Sequence, residues 1–240
     1  MLEAFLWGAL GASALLAGAL LAYVTTPSRR FIAVIMALGS GVLFGSVAFE
    51  LVEDALEEAS PAAVGLVALA GALTFTAGNW WLQRRGGGDR KSATGDQADG
   101  SPLAIVFGSV LDGVPESFVL GLTVLQGSVS VPLFAGIVLS NFPEGLSSSA
   151  GLRIAGWARR RVLLMWTAVV VASAVSAALG YLLLDPSLDY TGALVQAFAA
   201  GALLAMVADT LLPEAFEVEG VFTGSLVVVG FSLSLVLSAL

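Results

Sequence analysis

Asp112, Glu116 and Glu144 are the residues of this chain that call for chemistry, because each lies inside an apolar run long enough to be buried in hydrocarbon. A carboxylate at the centre of a membrane helix costs on the order of 2.5–3.5 kcal/mol, so three cost about 8–10 kcal/mol if nothing compensates them. No Lys or Arg lies at their depth. They must be protonated, hydrated or neutralised by a cation. Spacing favours the cation: Asp112 and Glu116 stand at i, i+4, as do Ser140 and Glu144, and Asn141 and Glu144 stand at i, i+3, so each set shares one helix face. Pro115 and Pro143 precede the two glutamates, and each removes an N–H and loosens the carbonyl four residues earlier, those of Leu111 and Leu139. Backbone loosened at membrane depth persists where it lines a cavity or is buried in protein. Carboxylate, amide, hydroxyl and carbonyl oxygens near one depth make a hard-cation site.

Other chemistry is removed by composition. The chain has no Cys and no His, so thiol nucleophiles, disulfides, Cys/His metal centres and histidine acid–base pairs are excluded. No paired-Asp motif is present either, and no enzyme is expected. A net charge of −8 argues against nucleic acid as a partner. It suits cations. A lone transmembrane proline is commonly a kink, and a lone Ser or Asn commonly interhelical glue. Two mid-depth carboxylates on matched Pro-Glu frames are not accounted for in that way.

The elements that carry these residues follow from length and hydropathy. Of the 240 residues, 58% are hydrophobic and 12% charged, about half the charge of a soluble domain. Eight apolar segments approach the roughly 20 residues needed to cross a bilayer: 3–24, 31–53, 61–83, 103–125, 130–152, 160–184, 191–213 and 219–240. The first, with Glu3 in place of a basic leader region, reads as a retained span. Arg29 and Arg30, then Arg84, Arg85, Arg90 and Lys91, then Arg153, Arg159, Arg160 and Arg161 follow spans 1, 3 and 5, and they account for all ten basic residues. With eight spans these loops share one side, which is cytoplasmic, and both termini face out. The loop after span 7 is acidic instead, with Glu217 and Glu219. Residues 84–102 read as a flexible cytoplasmic loop and the remainder as one transmembrane domain.

Shifting the chain by 160 residues aligns the segment from Ala37 with that from Ala197, pairing Ala37, Gly41, Leu43, Val47, Ala48, Leu51, Ala55 and Glu57 with identical residues. Spans 2 and 7 cross in opposite senses, so this is an inverted repeat. A shift of 28 places Pro115 on Pro143 and Glu116 on Glu144. The expected fold is an all-α polytopic membrane protein of eight helices in a 3+2+3 inverted arrangement. Glu50 and Asp209 lie deep enough to be pathway residues, while Glu53, Asp54, Glu57 and Glu58 form an acidic outer rim. Trp80 and Trp81 mark a membrane edge.

Eight spans, the loop between spans 3 and 4, and the frames DGVPES at 112–117 and SNFPEGL at 140–146 resemble the ZIP family of divalent metal transporters, whose fourth and fifth spans carry His-Asn-x-Pro-Glu-Gly motifs. ADTLLPEAFE at 208–217 is similar to that family's seventh span. The resemblance implies a homodimer in the plasma membrane, with spans 1, 4, 5 and 6 moving against spans 2, 3, 7 and 8. It assigns Asp112, Gly113 and Glu116 to one frame, and Ser140, Asn141 and Glu144 to the other. Asp112 and Ser140 stand where the family has histidines, and Ser173 where many members have a metal-binding Glu. One oxygen-only site of Asp112, Glu116, Asn141 and Glu144, with Ser140 beside it, is the expectation. Its cargo would be zinc, iron, manganese, magnesium or a similar divalent cation, with no organic cofactor; the missing imidazoles favour the harder ions. Two alternatives stay open: a non-transporting ZIP-like metal sensor or structural protein, and a proton-coupled carrier of an organic cation.

Overall fold

A computed structural model describes residues 1–87, 102–183 and 189–239. Among these the chain is helical, with no strand. The helices are α1 (Leu2–Val24), α2 (Arg29–Glu58), α3 (Pro61–Leu82), α4 (Pro102–Leu125), α5 (Val131–Ile154), α6 (Arg159–Leu182), α7 (Tyr190–Glu219) and α8 (Phe222–Ser238). Their ends have local causes. Pro27 follows the end of α1, and Ser28, Ser60 and Ser130 cap α2, α3 and α5 by accepting from Phe31, Ala63 and Leu133 amides at 3.2, 3.3 and 3.1 Å. Gly220, at φ 59°, ends α7 in a conformation that disfavours a side chain.

Six of these helices, α1, α2, α3, α4, α6 and α7, are long and apolar enough to cross a membrane. Helix α8 is apolar but has 17 residues. Helix α5 has ample length, 24 residues, but Ser140, Asn141, Glu144 and Ser147 to Ser149 dilute its apolar character, and all of these are buried. Its polar groups meet protein instead of lipid. Several boundaries move outward from the sequence expectation. Helix α2 continues through Glu58, so the acidic rim is its last turns. Helix α7 continues through Glu219, which makes the expected acidic loop helical. Helix α3 extends as a π-helical turn, Gln83–Gly87, into the expected 84–102 loop; the rest of that loop up to residue 101 lies outside the described residues.

Helices α2 and α7 each contain a π-helical segment, Val47–Val52 and Val207–Leu211. In α7, Pro213 removes the N–H that would bond the Asp209 carbonyl, so the wider turn has a covalent cause. Glu53 occupies the corresponding place in α2, and proline is not needed there.

Packing sorts the helices into two sets. Helix α1 packs on α5 and α6, and α4 on α6; α2 packs on α8, and α3 on α7; α2 and α5 join the sets. Close crossings use glycine. A Cβ at Gly41 would collide with the Val227 carbonyl oxygen and one at Gly230 with that of Leu38; across the other pair, Gly201 meets the Ala68 carbonyl and Gly71 that of Phe198. The main core runs through Leu43, Val47, Leu51, Leu120, Ile137 and Leu203, and a second forms around the fully buried Trp166.

Candidate functional site

The α4 and α5 carboxylates are buried as deeply as the apolar core: Asp112, Glu116 and Glu144 are 4%, 2% and 4% exposed. Each glutamate receives a hydroxyl from the opposite helix. Ser109 Oγ of α4 donates to Glu144 Oε1 at 2.8 Å, and Ser140 Oγ of α5 donates to Glu116 Oε1 at 3.4 Å and to the Ile137 carbonyl at 3.0 Å. Ser109 and Glu116 are seven residues apart on α4, and Ser140 and Glu144 four apart on α5. At 1.5 Å per residue the two pairs therefore sit at levels separated by about 6–10 Å. Asp112 lies between these levels along α4.

The expected ligands are only partly gathered. Glu116 with Ser140, and Glu144 with Ser109, are joined across the interface. Among the described residues no three acidic side chains are placed to hold one metal ion, so Asp112, Glu116 and Glu144 do not form a three-carboxylate cage. The oxygen set at the interface is mixed, with hydroxyls between the carboxylates. Asn141 turns its amide nitrogen to the Gly11 carbonyl of α1 at 3.4 Å, tying α5 to α1. Ser173 of α6 is buried against the α4 frame: a Cβ on Gly113 would stand 3.1 Å from its Oγ. Three residues on, Ser176 donates to the Val114 carbonyl at 2.8 Å.

The loosened carbonyl of half-buried Leu139 faces a neighbouring helix. Gly39 of α2 lies against it so closely that a Cβ there would stand 2.9 Å from the oxygen. Backbone freed by Pro143 thus lies against a neighbouring helix at the junction of the two sets. Below Glu144 a serine run continues, all buried, and Ser149 accepts from Trp166 Nε1 at 2.8 Å.

The two outlying acids have other partners. Half-buried Glu50, in the π segment of α2, accepts from Ser238 of α8 at 3.1 Å. Asp209, in that of α7, is exposed and accepts from Thr76 of α3 at 3.4 Å. Their hydrogen bonds lie outside the α4–α5 pairs, in the other helix set. On the outer rim, Gln196 of α7 donates to Asp54 at 3.4 Å.

Ser109, which donates to Glu144, is the residue of this cluster that sequence reasoning missed. With Asp112 and Glu116 it occupies i, i+3 and i+7, one continuous face of α4, and that periodicity was the available signal. Some of the basic residues also find partners. Arg30 Nε pairs with Glu219 Oε1 at 3.0 Å, and Arg153 donates to the Ala22 carbonyl and, at 3.4 Å, to that of Thr25, closing the C-terminus of α1. Arg84 lies 3.8 Å above the Trp80 ring. No protein-family model matches the chain, and no curated protein matches it.

Proposed function

We propose that this protein carries divalent metal cations across a membrane through the α4–α5 interface, as the resemblance to the ZIP family suggests. One observation carries the proposal: two deeply buried glutamates on neighbouring helices, each held by a hydroxyl from the other helix. Such oxygens lose water on folding and regain equivalent contacts from a dehydrated hard cation. Ser109, Asp112, Glu116, Ser140 and Glu144 supply the donors, and alternating access moves the cation between the acidic rim and the arginine side. A homodimer in the plasma membrane belongs to the same proposal.

The finer topology is part of it. Contacts of Gly41 with Val227 and Gly201 with Ala68, and of Gly230 with Leu38 and Gly71 with Phe198, repeat one interface at offsets of 159–160 residues, and the two π segments begin 160 residues apart. Both support the inverted repeat of α1–α3 with α6–α8. For α4 and α5 the support is looser. Gly121 and Gly180 cross α4 and α6 as Gly145 and Gly18 cross α5 and α1, which relates α4 to α5 at an offset of 24, one turn short of the 28 that aligns the Pro-Glu frames. The Arg30–Glu219 pair supports one side for the loops after spans 1 and 7, and hence one opposite side for both termini, which the distribution of basic residues makes the outside.

Proteoliposomes loaded with a metal-sensing dye test the proposal. Wild type is expected to take up manganese(II), iron(II) or zinc, and Glu144→Ala and Glu116→Ala to lose at least tenfold of that rate. Equal, metal-independent behaviour of wild type and variants overturns it. The same hydroxyl–carboxylate pairs also suit one rival, a proton relay through Ser109 with Glu144 and Ser140 with Glu116. Proton flux without metal flux in the same liposomes would establish that reading instead.

A further inference from the structure

At the start of α6 a surface groove of about 460 Å³ is lined by Arg159, Arg160, Leu163, Leu164 and Thr167. Its two ends differ in chemistry. Arg159 and Arg160 are exposed, and among the described residues neither makes an ion pair. Leu164, one turn further into the membrane, is 60% exposed, with half-buried Leu163 beside it. Thr167 turns its hydroxyl back to the Leu163 carbonyl at 2.8 Å, so the far end presents apolar surface. Two cations at the positive end of a helix dipole are mutually unfavourable unless an anion lies against them. Aromatic groups of the kind that favour a membrane interface lie at this level, where Arg161 stacks on Trp157 at 4.1 Å and Tyr23 donates to the Trp157 carbonyl at 3.1 Å.

We propose that the groove binds one anionic phospholipid, its phosphate against Arg159 and Arg160 and an acyl chain along Leu163 and Leu164. A net charge of +2 at the mouth with an apolar floor beneath complements a phosphate ester carrying hydrocarbon; it complements neither a zwitterionic lipid nor a free anion. The site is independent of the α4–α5 interface and of any cargo.

Native mass spectrometry of the delipidated full chain in detergent, titrated with phosphatidylglycerol or phosphatidylcholine, tests it. Wild type is expected to hold its first phosphatidylglycerol on the order of 30-fold more tightly than phosphatidylcholine, about the worth of two arginines at a membrane surface. Arg159→Gln with Arg160→Gln brings that ratio near one, Arg159→Lys with Arg160→Lys keeps most of it, and Leu164→Gln weakens phosphatidylglycerol retention about threefold. Glycerol 3-phosphate at tenfold excess leaves the lipid bound. No preference in wild type overturns the proposal. So does an equal loss in Arg84→Gln with Arg85→Gln, which removes the same charge elsewhere, or displacement by glycerol 3-phosphate. Because wild type and the lysine variant decide it, misfolding of the glutamine variant does not.

Discussion

Ser109→Ala combined with Glu144→Gln in a double-mutant cycle measures whether the cross-helix hydroxyl holds the carboxylate. Both residues are 4% exposed and 2.8 Å apart, so water does not replace the lost donor. Interhelical hydrogen bonds in membranes average about 0.6 kcal/mol and reach about 1.7, while bonds to charged groups in proteins are worth about 1.5–3 kcal/mol. A buried hydroxyl–carboxylate pair between two membrane helices therefore predicts a coupling energy of about 1–2 kcal/mol, a factor of about 5–30 in the folding equilibrium. Equilibrium unfolding by titration of dodecyl sulfate into mixed micelles gives the four free energies. Thr167→Ala, which removes an exposed hydroxyl bonded within its own helix, serves as the control and should change stability by under about 0.5 kcal/mol. Additivity of the two substitutions within about 0.3 kcal/mol would refute the coupling, and with it the claim that Ser109 positions Glu144.

Other expectations concern packing and sidedness. Gly71→Ala should destabilise the fold by about 1–3 kcal/mol, because its methyl would collide with the Phe198 carbonyl. Gly65→Ala in the same helix meets nothing within 4 Å and should be neutral or stabilise by up to about 1 kcal/mol. Dodecyl sulfate titration distinguishes them, and equal effects would contradict the described α3–α7 crossing. Trp166→Phe keeps most of the buried ring but leaves Ser149 without its donor, so a loss of about 1 kcal/mol is expected by the same titration. The chain has no cysteine, so single replacements report sidedness cleanly. Thr26→Cys and Glu217→Cys should react with an impermeant maleimide from one side of sealed vesicles and Glu58→Cys from the other; labelling of all three from one side rejects the topology.

Much of the helical layout was legible because its signals are local. Ser28, Ser60 and Ser130 cap the helices that the apolar runs announce, and Gly41 and Gly201, which the 160-residue shift aligns, each stand at a close helix crossing. The site was legible in its acids and less so in its partners. Serine is so common between membrane helices that Ser109 drew no notice, although its hydroxyl donates to Glu144. Asn141 shares a face with Glu144, but a helix face spans a wide arc, and only the rotation of α5 directs its amide nitrogen to Gly11 of α1. Glu219 read as a flaw in a basic side until Arg30 was found against it, 189 residues away in the chain.

By itself the sequence determined which segments are apolar enough to cross a membrane, and that neither thiol nor imidazole is available to this chain. Those properties depend on each residue's own cost of leaving water, which neighbours alter little. Tertiary structure decided which hydroxyl meets which carboxylate and that Gly39 packs against the carbonyl freed by Pro143. Such outcomes depend on helix rotation and crossing, set where small residues let backbones touch, and a shift of one turn, about 5.4 Å, would exchange every partner.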